Sequence, residues 1–250
     1  MAEEIQIERR GRVLLITLNR PEARNAIDTA LGTALVAACR ELDGDAALSV
    51  GVLTGAGKGF SAGMDLKAFA REGPPKGFSD FLQDGTSKPL IAAVEGFALA
   101  GGLEIALTCD LIVAAKGIPV GIPEARRGLF AAGGAMLRLP RRVGLGKAME
   151  LALTADPIRS EEAHAIGLVD RVTEPGRALG EALALAERIA KNAPLSLSIS
   201  KRLLREQQGR TEAEFWAFQA RDAGAIFASE DAREGATAFA EKREPVWKGH

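Results

Sequence analysis

Histidine and cysteine are nearly missing from this sequence, which has two of each in 250 residues. His164 and His250 stand in no cluster with acids or cysteines at metal-ligand spacing, so no metal site is expected. Cys39 and Cys109 lie far apart in apolar surroundings with no CxxC. That sets aside a disulfide framework and fits two buried thiols in a reduced, cytoplasmic compartment. An excess of either charge is missing as well: 32 Lys and Arg face 33 Asp and Glu, a net charge of -1. Such a balance excludes the basic footprint of a nucleic-acid binder and a polybasic membrane surface, leaving a small molecule or another protein as partner. No uninterrupted apolar run reaches bilayer length, and the acidic start Met1-Ala2-Glu3-Glu4 does not read as a signal peptide. Neither a membrane anchor nor export is expected. There is no internal repeat and no low-complexity segment.

What is present is core. At 47% hydrophobic and 26% charged residues, the chain is long enough for one large domain, or a domain with an appendage. The stretch on which the rest turns is Val94 to Asp110. The apolar run Pro89-Leu90-Ile91-Ala92-Ala93-Val94 reads as a buried strand, and Glu95-Gly96 as a turn. Ala98-Leu99-Ala100-Gly101-Gly102-Leu103-Glu104 then becomes helical. Gly101 and Gly102 carry no Cβ, so backbone N–H groups at the mouth of that helix can approach a ligand that develops negative charge. Glu104 follows about one turn later. The same residues also suit plain helix packing with a solvated first-turn acid, and this stretch alone does not separate the two.

Ile5 to Arg9 alternates and Val13 to Leu18 is apolar, a hairpin entering the core. Leu31, Leu35, Ala38 and Leu42 recur at helical spacing after Asp28 or Thr29 as cap, predicting a helix over about 29–42. Val50 to Thr54 is a strand that runs into the glycine-rich Gly55-Ala56-Gly57-Lys58-Gly59. This is neither a Walker A, which needs four residues before Gly-Lys-Ser/Thr, nor a dinucleotide fingerprint, whose third glycine would fall at Phe60. Residues 68–88 lack a sustained period and read as a surface excursion bordering a pocket. Leu111 to Ala115 is a strand. Pro123 then holds Glu124 in a defined turn, although an exposed turn acid is the plainer reading of that residue. Gly133-Gly134, Pro140 and Gly144 punctuate a loop, and Lys147 to Leu153 reads as helix. Ser160 caps a short helix ended by Gly167, with His164 packed in it, and Leu168 to Val172 is a late strand. Beyond about 176 the chain is helical, with a capping box at Thr211 and Glu214. Its last sixty residues form an appendage whose Phe215, Trp216, Phe218, Phe227 and Phe239 call for a surface to pack on.

Several motifs together resemble one family. Gly59-Phe60-Ser61-Ala62-Gly63-Met64-Asp65-Leu66, Ala98 to Glu104, Pro123-Glu124 with Gly128, and Phe239-Ala240-Glu241-Lys242-Arg243 are similar to the crotonase (enoyl-CoA hydratase/isomerase) superfamily. Asn19-Arg20-Pro21 and Arg24-Asn25-Ala26 extend the likeness almost end to end. The resemblance implies an α/β fold with a spiral core of ββα turns over 1–190 and a helical region over 191–250 that trimerises, with pairing of trimers into hexamers left open. It implies an acyl-CoA thioester as substrate, coenzyme A being part of that substrate and no separate cofactor being required.

By the same resemblance the backbone N–H groups of Met64 and Gly101 form an oxyanion hole for the thioester oxygen. Glu104 activates water and Glu124 protonates C2. Arg24, Ala26 and Ala62 match a segment along the pantetheine and nucleotide, and Asp65 and Leu66 close the same substrate-binding motif. Phe239 and Lys242 match positions that reach a neighbouring subunit's CoA. Both acids favour hydration of a trans-2-enoyl-CoA, since members that only shift a double bond commonly keep the second acid alone. A delta-isomerase, a dehydratase of another acyl-CoA and a non-catalytic acyl-CoA binder are the alternatives. One departure is Ala100, where many hydratases carry a third glycine.

Overall fold

The computed structural model describes residues 4–250. β1 (Ile5–Arg10) and β2 (Val13–Leu18) pair antiparallel, with Ile5 opposite Leu18 and Arg10 opposite Val13. The Asp28 carboxylate accepts from Leu31 N at 2.9 Å and so caps α1 (Thr29–Gly44), whose Leu31, Leu35, Ala38 and Leu42 are buried. β3 (Val50–Gly55) joins β2 in parallel, and two seven-residue helices follow, α2 (Leu66–Glu72) and α3 (Phe78–Asp84). Next come β4 (Leu90–Val94), β5 (Ala98–Leu99), α4 (Gly101–Thr108), β6 (Leu111–Ala115) and β7 (Pro119–Gly121). A 3-10 turn at Pro123–Arg127 leads to α5 (Ala135–Val143), α6 (Leu145–Thr154), β8 (Ile158–Arg159), α7 (Ser160–Ala165) and β9 (Arg171–Thr173). The chain ends in α8 (Ala178–Ala190), α9 (Pro194–Glu206), α10 (Glu212–Ala228) and α11 (Glu230–Glu241).

Two sheets organise these elements. The larger runs β1-β2-β3-β4-β6-β9 and the smaller β5-β7-β8, so the windings β4-β5-α4 and β6-β7 each place one strand in each sheet before a helical segment. This is the wound ββα arrangement that the family resemblance implies. Both faces of the central strands β2, β3, β4 and β6 are covered, which explains why these strands are continuously apolar, whereas the edge strand β1 alternates and is largely exposed. Leu14, Ile16, Leu18, Leu53 and Leu90 point to a core shared with α1 and α4, while Val13, Leu15, Val50, Val52, Ile91 and Val113 lie under Ala182, Leu183 and Ala186 of α8.

Five expectations need correction. Ser160 is the first residue of α7 and makes no capping bond, and His164, expected to pack, is exposed. Residues 68–88 are not without structure: Asp65 caps α2 by accepting from Lys67 N and Ala68 N, and Phe78 and Phe81 of α3 are buried. The expected loop around Gly133-Gly134, Pro140 and Gly144 contains α5. Its glycines act as caps at positive φ, 109° at Gly134 and 77° at Gly144, rather than as breakers. Pro140 sits inside that helix while Ala135 and Leu139 face the core. The late strand begins at Arg171, after Leu168 and Val169 have turned inward as buried residues.

The C-terminal helices are tied to the core by charge. Lys201 of α9 reaches inward to Asp110 at 2.7 Å and to the Lys88 carbonyl at 2.7 Å. Arg205 donates to the carbonyls of Asp84 and Thr108 at 2.9 and 2.7 Å. Thr211 and Glu214 form the anticipated capping box on α10. Among the described residues no helix is long and apolar enough to cross a membrane. Cys39 and Cys109 are free and buried, and burial pushes the Cys39 thiol up to about 12 and that of Cys109 higher.

Candidate active site

The loop after β3 and the start of α4 are held side by side. Ser61 bridges in parallel to Ala98, with Leu99 N donating to the Ser61 carbonyl at 3.2 Å. On its other side Met64 bridges to Ile27, which uses the Gly63 carbonyl and the Asp65 N–H and leaves the Met64 N–H outside the ladder. The Gly101 N–H at the head of α4 is likewise without an acceptor among the described residues. The two backbones nearly touch. A Cβ on Gly101 would sit 3.3 Å from Met64 N, and one on Gly63 (φ +94°) would sit 2.6 Å from Gly101 N. The lack of a Cβ at Gly63 and Gly101 lets two unpartnered N–H groups lie close together, that of Gly101 at the positive end of a helix.

Ala100 occupies φ 52°, ψ -133°, a conformation that a side chain rarely adopts, and it carries backbone strain of about 1–3 kcal/mol. Its surroundings hold it there: Ala100 N donates to Gly121 O at 2.9 Å, and its carbonyl accepts from Leu103 N and Glu104 N. That peptide therefore connects the Gly101 donor to the end of β7. Leu99 pairs with Gly121, which stands three residues before Glu124. The two acids consequently emerge from adjacent strands of the small sheet.

Glu104 is 5% exposed, and its Oε1 accepts from Ala135 N at 3.1 Å. Burial pushes this carboxyl above the ordinary glutamate range, against the opposing N–H groups of Ala135 and Gly133 and the Arg138 charge. Glu124 is half-buried, and its Oε2 is enclosed with no hydrogen-bond partner among the described residues. Burial again raises its pKa most, and the Glu104 charge raises it further. Two acids that resist ionisation, each within the other's field, are suited to holding one proton between them.

The remaining predicted residues divide into three groups. Arg24 is exposed at φ 57°, its carbonyl accepts from Ala62 N at 3.0 Å, and the half-buried Ala26 lies two residues on, so these three share one edge. Leu66 is 46% exposed beside them, whereas the Asp65 carboxylate is engaged with the α2 N-terminus and with Arg20 at 3.5 Å. Those contacts hold Asp65 below the usual carboxylate range, chiefly through the Ala68 N–H. Phe239, 87% exposed, and Lys242, at φ 55°, lie at the end of α11. No hydrogen bond or ion pair among the described residues links either side chain to Glu104 or Glu124.

Sequence reasoning gave no role to Asn25, Ser61, Gly133 and Arg138. Asn25 is fully buried, and its amide nitrogen donates to the carbonyls of Ala56, Gly59 and Phe60 at 2.9–3.0 Å. Its Oδ1 accepts from Arg20 N, so it clamps the loop that ends at Met64. Ser61 donates to Asn25 O at 2.8 Å and accepts from Gly63 N at 3.1 Å. The only signal for Asn25 and Ser61 was that each sits inside a matched motif, Arg24-Asn25-Ala26 or Gly59 to Leu66, that was read for other residues.

The likeness to known proteins runs the length of the chain. The model for the enoyl-CoA hydratase/isomerase family matches residues 8–250. An enoyl-CoA hydratase of Mycobacterium tuberculosis is 41% identical over 250 residues, covering 96% of this chain and 94% of that relative. A carnitinyl-CoA dehydratase of Salmonella arizonae is 39% identical with full coverage of both chains. The crystal structure of an enoyl-CoA hydratase from Mycobacterium tuberculosis superposes with a TM-score of 0.94 at 51% identity, again over 100% of both chains.

Proposed function

The chain belongs to the enoyl-CoA hydratase/isomerase family, and we propose that it adds water across the 2,3-double bond of a trans-2-enoyl-CoA. The observation that carries this reading is the pairing of two unpartnered N–H donors, Met64 and Gly101, with two carboxyls kept from easy ionisation. When water attacks C3, charge builds on the thioester oxygen as an enolate. Two preorganised donors about 2.7–3.1 Å from that oxygen stabilise it, each contributing roughly 2.7–4 kcal/mol to the barrier. Glu104, ionised, takes the proton from water as the C3–O bond forms, and Glu124, protonated, delivers its proton to C2. A return of the proton from Glu104 to Glu124 resets the pair.

Binding of the CoA moiety is assigned to the edge formed by Arg24, Ala26, Ala62 and Leu66, with Asp65 as its structural support. No cofactor beyond the substrate's own CoA enters the chemistry. We assign assembly as a homotrimer to the C-terminal helices, where Trp216, Phe227 and Phe239 are 58%, 79% and 87% exposed. In that assembly Phe239 and Lys242 reach a neighbouring subunit's CoA, and pairing into hexamers would build on the same trimer.

The test is hydration of crotonyl-CoA followed at the enoyl absorbance, alongside a 3-enoyl-CoA. Loss of the enoyl band with crotonyl-CoA supports hydration. Conversion of the 3-enoyl ester alone would favour a delta-isomerase, and tight binding of CoA esters without turnover would favour a non-catalytic binder. The likeness to a carnitinyl-CoA dehydratase favours a second reading, dehydration of a hydroxyacyl-CoA through the same steps in reverse.

A further inference from the structure

Behind Glu104 lies a guanidinium that the proposed chemistry does not use. The turn Gly133-Gly134-Ala135 lies flat against the Glu104 carboxylate: Ala135 N donates to Oε1 at 3.1 Å, and a Cβ on Gly133 would fall 2.6 Å from Oε2. On the opposite side of the same turn, a Cβ on Gly134 would collide with Arg138 Nη1. Arg138 donates to the Gly133 carbonyl at 3.4 Å and to the carbonyls of Leu82 and Gln83, at the end of α3, at 2.5 and 3.0 Å. A glycine pair thus forms a spacer one backbone thick between the carboxylate and a cation, and the cation is anchored to a second helix.

We propose that Arg138 is a positioning residue for Glu104: its fork locks the Gly133-Gly134 turn that holds the carboxylate, and its charge keeps that carboxylate ionised for attack by water. This rests on reading Glu104 as the base. Burial pushes the Glu104 pKa up, and Arg138 is the cation that opposes the rise. The other charged groups around the pair are accounted for. Glu104 also faces Glu124 from the 3-10 turn; Arg138 faces Arg205 of α9, Arg141 of α5 and the Cys109 thiol at the end of α4, and α3 presents its C-terminal carbonyls. Burial foremost, then Arg205, holds Arg138 below the usual arginine range without discharging it at neutral pH.

The experiment compares kcat/KM against pH for crotonyl-CoA in wild type, Arg138→Gln and Arg205→Gln. Arg205→Gln strips the other guanidinium from α3 without touching the Gly133 turn, and so controls for a structural loss. In Arg138→Gln the acid limb is expected to move up by about half a pH unit or more, with kcat down roughly tenfold and KM within about threefold. In Arg205→Gln the limb stays in place while the melting temperature falls. An unmoved limb in Arg138→Gln, or an equal shift in both variants, overturns the proposal. If Arg138→Gln does not fold, Arg138→Lys carries the test: it keeps the charge and loses the fork, so the limb holds while kcat drops, and wild-type kcat overturns the proposal. A wild type that never hydrates crotonyl-CoA would instead remove the functional reading on which the proposal stands.

Discussion

A carboxylate oxygen enclosed without a donor, as Glu124 Oε2 is, destabilises the folded chain whenever the group is ionised. The sign follows from its raised pKa. Above the ordinary value of 4.5 the folded state holds the Glu124 proton more tightly than the unfolded state, so stability declines as pH rises from there toward the raised folded value. Glu124→Gln should therefore melt at a higher temperature than wild type at pH 7.5, with the gain shrinking as pH falls toward 4.5, while kcat drops by about 10²–10⁴. Scanning calorimetry at the two pH values checks this, and a lower melting temperature at both would contradict it. Gly101→Ala probes the backbone donors, which side-chain changes ordinarily miss. The new methyl would stand 3.3 Å from Met64 N, tight but accommodated, so the protein should fold while kcat falls by at least about 10²-fold. Near-native kcat would show that these amides do not hold the reacting oxygen.

Elements place those residues, and they differ in how far their own sequence announces them. The β1–β4 strands, α1 and α4 were legible because each signal is local: an apolar run, a 3.6-residue stripe after Asp28, a glycine pair opening a helix. The motif match likewise singled out Glu104 and Glu124, and the fold brings them close enough for the Glu104 charge to act on Glu124. The helix α5 was hidden because its capping glycines and Pro140 look like loop punctuation until the packing of Ala135 and Leu139 is seen. Asn25 was illegible for another reason, since its three acceptors lie more than thirty residues away and nothing local marks them. That clamp gives a prediction at this scale. Asn25→Ala strands three carbonyls and should cost about 1–3 kcal/mol or more of stability, read as an earlier denaturant midpoint, and should lower kcat through the loop that ends at Met64. Unchanged midpoint and rate would mean that the loop holds its shape without the amide.

At the scale of the whole molecule, α9 is bound inward by Lys201 and Arg205, whereas α10 and α11 leave large apolar side chains facing outward. Such a face on a chain of net charge -1 is consistent with burial between copies. Light scattering should return three chain masses, or six, and Phe239→Asp should raise the KM for CoA esters if that ring completes a neighbour's site. A monomer with full activity would contradict both statements. The account as a whole depends on where a thioester carbonyl comes to rest, and a crystal structure with a bound acyl-CoA measures that directly. The carbonyl oxygen should lie within about 2.7–3.1 Å of both Met64 N and Gly101 N, with C2 and C3 against the neighbouring carboxyls of Glu104 and Glu124. A carbonyl oxygen bound away from either amide, or an acyl chain that leaves C2 and C3 out of reach of the two carboxyls, would contradict the account.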